Sequence, residues 1–178
     1  MVKKIEKGNS DLYPNPVALI SSEFEGKVSI ITLAWVGTVC SSPPMVSISI
    51  RPSRFSHELV NSSKEFVINI PTSSMIKQIN LCGSKSGRNT DKWSKCNFTK
   101  QPSKTVNVPG IAECPVNMEC KVKQMLNLGS HDVFIAEVTQ VLKDPGINEK
   151  DGEMIVFARS KGSNYGKVTN IMLTSEDY

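Results

Sequence analysis

The sequence has few aromatic residues and little excess charge. Phe, Trp and Tyr make up 6% of its 178 residues, and the formal net charge is +4, with lysines and arginines spread along the chain. Surfaces that bind nucleic acid usually combine a concentrated basic stripe with aromatic stacking platforms. The composition therefore argues against a nucleic-acid partner and favours a local group of cations around a small phosphorylated ligand.

Histidine is scarce, and the cysteines are not paired in the sequence. The chain has two histidines, His57 and His131, and five cysteines without a Cys-x-x-Cys motif. Zinc sites usually need closely spaced ligands, and disulfide-stapled domains usually have an even number of cysteines. We predict no metal site and expect reduced thiols. A chain of this length can bury about 70% of its unfolded surface without a disulfide scaffold.

Long apolar runs are absent as well. Nothing approaches 18 consecutive apolar residues, which argues against a membrane span. The start, MVKKIEKGNSDLY, lacks the apolar region of a secretory signal. These absences predict a cytoplasmic protein without a membrane partner.

Neither of the common nucleotide-binding glycine motifs occurs. GxGxxG and GxxxxGK[ST] are both missing, and the glycine-containing segment 83–92, GSKSGRNTDK, has a different spacing. A nicotinamide nucleotide, if the protein uses one, would therefore bind transiently. From the pattern alone, this segment reads equally well as a solvated surface loop.

What is present centres on residues 30–56. An apolar run rich in β-formers leads to Trp35 and Val36, and Gly37 and the pair Pro43-Pro44 then predict a tight connection. From Met45 to Arg51 apolar and polar residues alternate, which predicts a strand with one buried face.

The polar end of this strand is a candidate anion site. Arg51, Ser53, Arg54 and Ser56 stand at the start of a predicted helix, where backbone N–H groups and the helix dipole favour an anion. Surface ion pairing is the ordinary alternative for such arginines.

Strands outnumber helices along the rest of the chain. This pattern predicts a closed or nearly closed antiparallel barrel with a few short helices, in one domain. The predicted strands are 17–21, 28–36, 45–51, 66–70, 116–122, 133–141 and 153–158, and the predicted helices are 53–61, 72–81 (ended by Gly83) and, as a helix or turn, 93–98.

The ordered pieces 32–37 (TLAWVG), 42–51 (SPPMVSISIR) and 54–56 (RFS) resemble the flavin reductase-like, FMN-binding split-barrel family, which includes the flavoredoxins. The resemblance spans roughly residues 15–166. It implies one domain over residues 1–178 with a Greek-key, antiparallel split β-barrel, non-covalent FMN, and a homodimer in which each flavin lies near the interface.

The resemblance also implies where the cofactor lies. In the family the matching glycine-containing loop lies beside bound FMN, and an Asp-Lys pair follows it, here Asp91-Lys92. The expected FMN-binding residues are Thr32, Ala34, Trp35, Ser49, Arg51, Ser53, Arg54, Ser56, Ser84, Lys85 and Lys92. From the pattern alone Trp35 is better explained as a core residue.

Three further residues carry open interpretations. His131 resembles the family's turn histidine and is a candidate substrate contact, although a turn histidine without a chemical role is about as good an explanation. Cys40 and Cys82 are expected near the pocket, either with a redox role or as buried small hydrophobes. The family usually has glycine where this chain has Ala136.

The resemblance implies an oxidoreductase. Electrons would pass from NADH or NADPH, or from a redox-protein partner, through FMN, and the cofactor would supply the chemistry. The alternative is a non-catalytic FMN-binding carrier or sensor.

Overall fold

A computed structural model describes residues 12–145, 155–160 and 162–167, together with residues 3, 5 and 7–10. Within these ranges the strands are β1 (Asn15–Pro16), β2 (Ala18–Phe24), β3 (Lys27–Leu33), β4 (Val36–Ser41), β5 (Pro44–Ile50), β6 (Glu65–Ile70), β7 (Lys100–Gln101), β8 (Gly110–Ile111), β9 (Val116–Asn127), β10 (Asp132–Lys143), β11 (Ile155–Ser160) and β12 (Gly162–Lys167). The helices are α1 (Phe55–Ser63), α2 (Ile76–Ser84) and α3 (Lys92–Cys96). None of these helices is both long and apolar enough to cross a membrane.

Seven strands form one antiparallel sheet in the order β3-β2-β6-β9-β10-β5-β4. The predicted mainly β, antiparallel fold with few helices is therefore confirmed. The prediction of a closed or nearly closed barrel is too strong, because the edge strands β3 and β4 do not pair with each other in the described part of the chain. A split therefore remains between them.

A second sheet combines a strand from the first part of the described chain with two from its last part. It consists of β1, β11 and β12, and β11 pairs antiparallel with both of the others. The predicted last strand, 153–158, is seen as β11 from residue 155 onward, and its first two residues lie outside the described residues.

The segment after Trp35 departs from its prediction. We expected a tight connection through Gly37, but Val36–Ser41 forms strand β4 and pairs with β5. This strand lies at a sheet edge and is largely exposed, so its sequence lacks the apolar alternation that reveals a buried strand.

The end of α2 also differs from its prediction. A short 3-10 turn at Ser73–Met75 leads into α2, which continues through Gly83 to Ser84. A Cβ at Gly83 would lie 3.3 Å from Thr32 Cβ. The glycine thus allows α2 to approach strand β3 closely, and it does not end the helix.

Side chains from β2 and β3 pack on both faces of the sheet. Ile20 and Ile31 join the cluster around Phe66 and Phe134, while Ile30 packs with α2 and α3 in a second cluster. Burial of each such side chain contributes roughly 1.5–3 kcal/mol. The second cluster fixes α2 and α3 against β3.

Candidate functional site

A cleft of about 270 Å³ lies between the start of α1 and the loop from α2 to α3. Four cationic side chains and several serine hydroxyls line it, and no acidic side chain among the described residues does. We call this the cation cleft and define it by Ser53, Arg54, Ser56, Lys85, Ser86, Gly87, Arg88 and Lys92. A site with this set of donors favours an anion.

Lys92 is the most unusual of these cations because it is 4% exposed. Its Nζ donates to the backbone oxygen of Ile30 at 2.6 Å and to that of Cys82 at 2.8 Å, which leaves the third ammonium hydrogen for another acceptor. No carboxylate in the described ranges pairs with it. Burial lowers the pKa of Lys92, and the nearby Arg54 lowers it further. A buried cation without a counter-ion is costly unless a ligand supplies the negative charge.

The first turn of α1 faces the cleft from the other side. Arg54 is the N-cap residue, and no side chain caps this end of the helix. Ser56 is buried, and its Oγ donates to Ser29 Oγ at 3.2 Å. Arg51 and Arg54 are exposed, and neither forms an ion pair with the described acidic residues, so the surface ion-pair alternative finds no support.

The loop after α2 comes very close to β3 and α1. A Cβ at Gly87 would lie 2.3 Å from Ser29 Oγ and 3.1 Å from Phe55 Cδ1. Only glycine fits there without displacing its neighbours. Arg88 stacks over the Phe55 ring at 5.0 Å and pairs with Glu58 at 2.9 Å, so its charge is already partly neutralised.

Asp91 shapes the far side of the loop. Its carboxylate accepts from the backbone N–H groups of Trp93 and Ser94 and from Ser94 Oγ at 2.6 Å. The hydrogen bonds from Ser94 lower the pKa of Asp91. Asp91 thereby starts α3 at Lys92 and helps to hold that residue in place.

A second cleft of about 350 Å³ adjoins the cation cleft, and both are lined by Gly83. Thr32, Ala34, Ser84 and Tyr165 lie along it. Thr32 Oγ1 donates to the backbone oxygen of Ile79 at 2.6 Å, which ties β3 to α2. The structure thus brings three of the expected flavin-binding residues, Thr32, Ala34 and Ser84, to one cleft.

Trp35 and His131 form a separate contact at the end of β3. Their ring centroids are 4.5 Å apart, and Trp35 is 40% exposed, so the core interpretation of Trp35 is wrong. The Trp35 backbone oxygen accepts from the Ser49 backbone N–H at 3.0 Å. Burial lowers the pKa of His131, and Arg51 and Arg54 lower it further, which favours the neutral imidazole.

The cysteines divide between two places. Cys82 is buried and lines the cation cleft, as expected. Cys40 lines a different groove with Met118 and Val138, so its predicted position near the pocket is wrong. The cause is β4, which places Cys40 opposite Met45 at the far end of β5.

Sequence reasoning missed Ser29 and Gly87 as cleft residues. Ser29 is a buried polar residue between the apolar residues Val28 and Ile30 of β3, and that position is the signal that could have identified it. Gly87 is set between cations, but only the three-dimensional contact with Ser29 shows why glycine is required.

Comparison with known proteins places the chain in a family. Residues 10–165 match the flavin reductase like domain. An uncharacterized protein of Archaeoglobus fulgidus is 35% identical over 161 residues, covering 86% of this chain and 88% of the relative. Flavoredoxin from Methanosarcina acetivorans has a similar structure, with a TM-score of 0.89, 25% identity, and coverage of 98% of this chain and 96% of that one.

A more distant relative links the fold to another redox protein. The high molecular weight rubredoxin of Moorella thermoacetica is 28% identical over 103 residues, which covers 57% of this chain and 44% of the relative. The family match and these similarities support a flavin-related redox function. The chain belongs to the flavin reductase-like, FMN-binding family.

Proposed function

We propose that the protein is a flavin-dependent oxidoreductase and that its cation cleft holds the phosphate of FMN. The main support for this proposal is Lys92, a buried ammonium with two backbone acceptors and no carboxylate partner in the described ranges. A phosphate dianion supplies both the missing charge and the missing acceptor. Arg54, Ser53 and Lys85 would complete the phosphate site.

The rest of the cofactor fits the neighbouring surface. Ligand pockets usually enclose about 300–1,000 Å³; the cation cleft, at about 270 Å³, lies below this range, and the second cleft, at about 350 Å³, lies at its lower limit. The two clefts meet at Gly83, and together they offer more room for a whole FMN than either does alone. Thr32, Ala34 and Ser84 would line the flavin beyond the phosphate, and Trp35, Ser49 and Arg51 would border its outer end.

When bound, FMN supplies electron and hydride transfer at its ring. The residues of this chain bind and orient it. His131, whose ring is tilted by 47° against the Trp35 ring, would contact the substrate or electron donor that approaches the exposed side of the flavin.

The source of electrons has two candidates. The chain lacks the GxGxxG motif of a dedicated dinucleotide-binding domain, so NADH or NADPH would bind transiently. The alternative is a non-catalytic FMN-binding electron carrier or sensor. The similarity to flavoredoxin and to high molecular weight rubredoxin supports a carrier that a redox-protein partner reduces.

An anaerobic assay separates these functions. The FMN-loaded protein is mixed with NADH, with NADPH, or with reduced ferredoxin, and the bleaching of flavin absorbance is followed. A reductase should turn over with one of the nicotinamide nucleotides, whereas a carrier should be reduced only by the protein donor. Absence of bound flavin after addition of FMN at micromolar protein would refute both.

The assembly we propose is a homodimer of one domain per chain. The two clefts are open, so a second copy could supply a wall for the flavin. Light scattering of the FMN-loaded protein should give the mass of two chains, and a monomer that retains FMN would contradict the proposal.

The compartment we propose is the cytoplasm. All five cysteines are free thiols, and four of them are buried. Free thiols are typical of a reducing compartment. Cell fractionation should find the protein in the cytosolic fraction, and recovery from the exported fraction would contradict this location.

A further inference from the structure

One side-chain pair connects helix α1 to the sheet. The Nε2 of His57 lies 2.7 Å from Oδ2 of Asp132. An ionised carboxylate can only accept, so in a pair with the Asp132 carboxylate the His57 Nε2 is the donor. Asp132 is 3% exposed, and its other oxygen, Oδ1, has no hydrogen-bond partner in the part of the chain that the structure describes. The His57 ring also meets the edge of Phe134, at 5.2 Å between centroids.

The position of this pair in the fold links both ends of the proposed flavin site. Asp132 opens β10 and lies opposite Ile50, the last residue of β5. The chain then turns towards α1. The Arg54 N–H donates to the Arg51 backbone oxygen at 2.9 Å, and the His57 N–H donates to the Arg54 backbone oxygen at 3.0 Å. The segment from Arg51 to His57 therefore leaves the sheet beside Asp132 and returns to Asp132.

The pair is not needed merely to hold α1 on the sheet. Leu59 and Val60 are 1% and 0% exposed, so the helix already buries an apolar face. A buried carboxylate is expensive, and apolar replacements of buried ion pairs are often as stable or more stable. Such a pair therefore suits a role in fixing geometry better than a role in stability.

We propose that the pair of His57 and Asp132 is a positioning device for the flavin phosphate. It fixes the first turn of α1, and thereby Arg54 and Ser56, relative to the strand end that carries His131. This inference rests on the proposed function, in which the cation cleft binds that phosphate. His57 acts through these residues and does not touch the ligand.

Three variants of His57 test the proposal through the preference for FMN over riboflavin. His57→Ala removes the hydrogen bond, His57→Gln offers an amide N–H at about the reach of Nε2, and His57→Asn is too short to reach the carboxylate. Each variant and the unchanged protein are titrated with FMN and with riboflavin, and bound flavin is read from fluorescence quenching.

The expected result is a selective loss. His57→Ala and His57→Asn should bind FMN about tenfold more weakly, because a displaced first turn of α1 would lose about one charge-assisted hydrogen bond to the phosphate, with riboflavin affinity unchanged. His57→Gln should keep most of the preference. A general packing defect would instead weaken both ligands and leave their ratio unchanged.

The outcomes separate this inference from the proposed function. If the unchanged protein shows no preference for FMN, the phosphate assignment itself is wrong. If it prefers FMN and the alanine variant keeps that preference, the positioning role is overturned. Should the alanine variant fail to fold, the glutamine and asparagine variants decide. If His57→Gln and His57→Asn prefer FMN over riboflavin to the same extent, the positioning role is also overturned. A His57→Gln variant that does not fold overturns it as well.

Discussion

Replacing Lys92 with methionine is the sharpest test of the phosphate site. Methionine has a similar length and no charge, so the substitution removes the buried ammonium while largely filling its space. In the unchanged protein Nζ gives two hydrogens to the backbone oxygens of Ile30 and Cys82 and keeps the third for the proposed phosphate.

The magnitude follows from the kind of bond that is lost. A hydrogen bond to a charged group contributes about 1.5–3 kcal/mol, which corresponds to roughly tenfold to a hundredfold in affinity. The change also deprives two backbone oxygens of a donor, and this damage to the fold weakens every ligand alike. The effect on the phosphate is therefore the change in the ratio of FMN to riboflavin affinity.

Isothermal titration of both ligands measures this ratio directly. Lys95→Met is the matched control because Lys95 lies on the same short helix and is exposed, outside the cation cleft. We expect the Lys92 variant to lose FMN affinity selectively and the Lys95 variant to behave like the unchanged protein. An equal loss for FMN and riboflavin, or an unchanged FMN affinity, would refute the role of Lys92.

Three further predictions concern the same region. Burial lowers the pKa of Lys92 in the free protein, and a bound phosphate would raise it. FMN affinity should therefore fall as pH rises through the lowered pKa of Lys92, while riboflavin affinity stays level. Parallel pH profiles for the two ligands would contradict this prediction. Gly87→Ala should abolish tight FMN binding, because the new Cβ would overlap Ser29. Gly37→Ala is the control and should bind FMN normally, because the nearest atom to its new Cβ is 3.9 Å away. Equal FMN affinities of the two variants would contradict the prediction, since they would mean that the loop moves to accommodate the methyl group. Asp91→Ala removes a helix cap and should lower the free energy of unfolding by about 0.5–2 kcal/mol at neutral pH, as measured by thermal unfolding. Because the pKa of Asp91 is lowered in the folded protein, the cap stabilises the fold above the ordinary carboxyl pKa, and this contribution is lost as pH falls through the lowered pKa. A difference between variant and unchanged protein that persists in acid would contradict the cap.

Local patterns predicted much of the sheet. The alternation from Met45 to Arg51 corresponds to β5, in which Val46, Ile48 and Ile50 are buried. Strand β4 was missed because an edge strand with exposed residues has no such alternation. Gly83 was misjudged because its role is set by the distance to Thr32, a residue far away in the sequence.

The site was less accessible to sequence reasoning for the same physical reason. Arg51, Arg54 and Lys92 were recognised as cations, but the sequence cannot show that only Lys92 among them is buried. The exposure of Trp35 beside His131 likewise depends on how β3, β5 and β10 meet. Charge type is read from the sequence, whereas burial and pairing come from the fold.

The central claim is that this protein recognises a flavin by its phosphate. The most direct measurement is the dissociation constant of the unchanged protein for FMN and for riboflavin, side by side in one buffer. Loss of even one charge-assisted hydrogen bond predicts that riboflavin binds at least about tenfold more weakly than FMN. Equal affinities for the two flavins, or no binding of either, would contradict the claim.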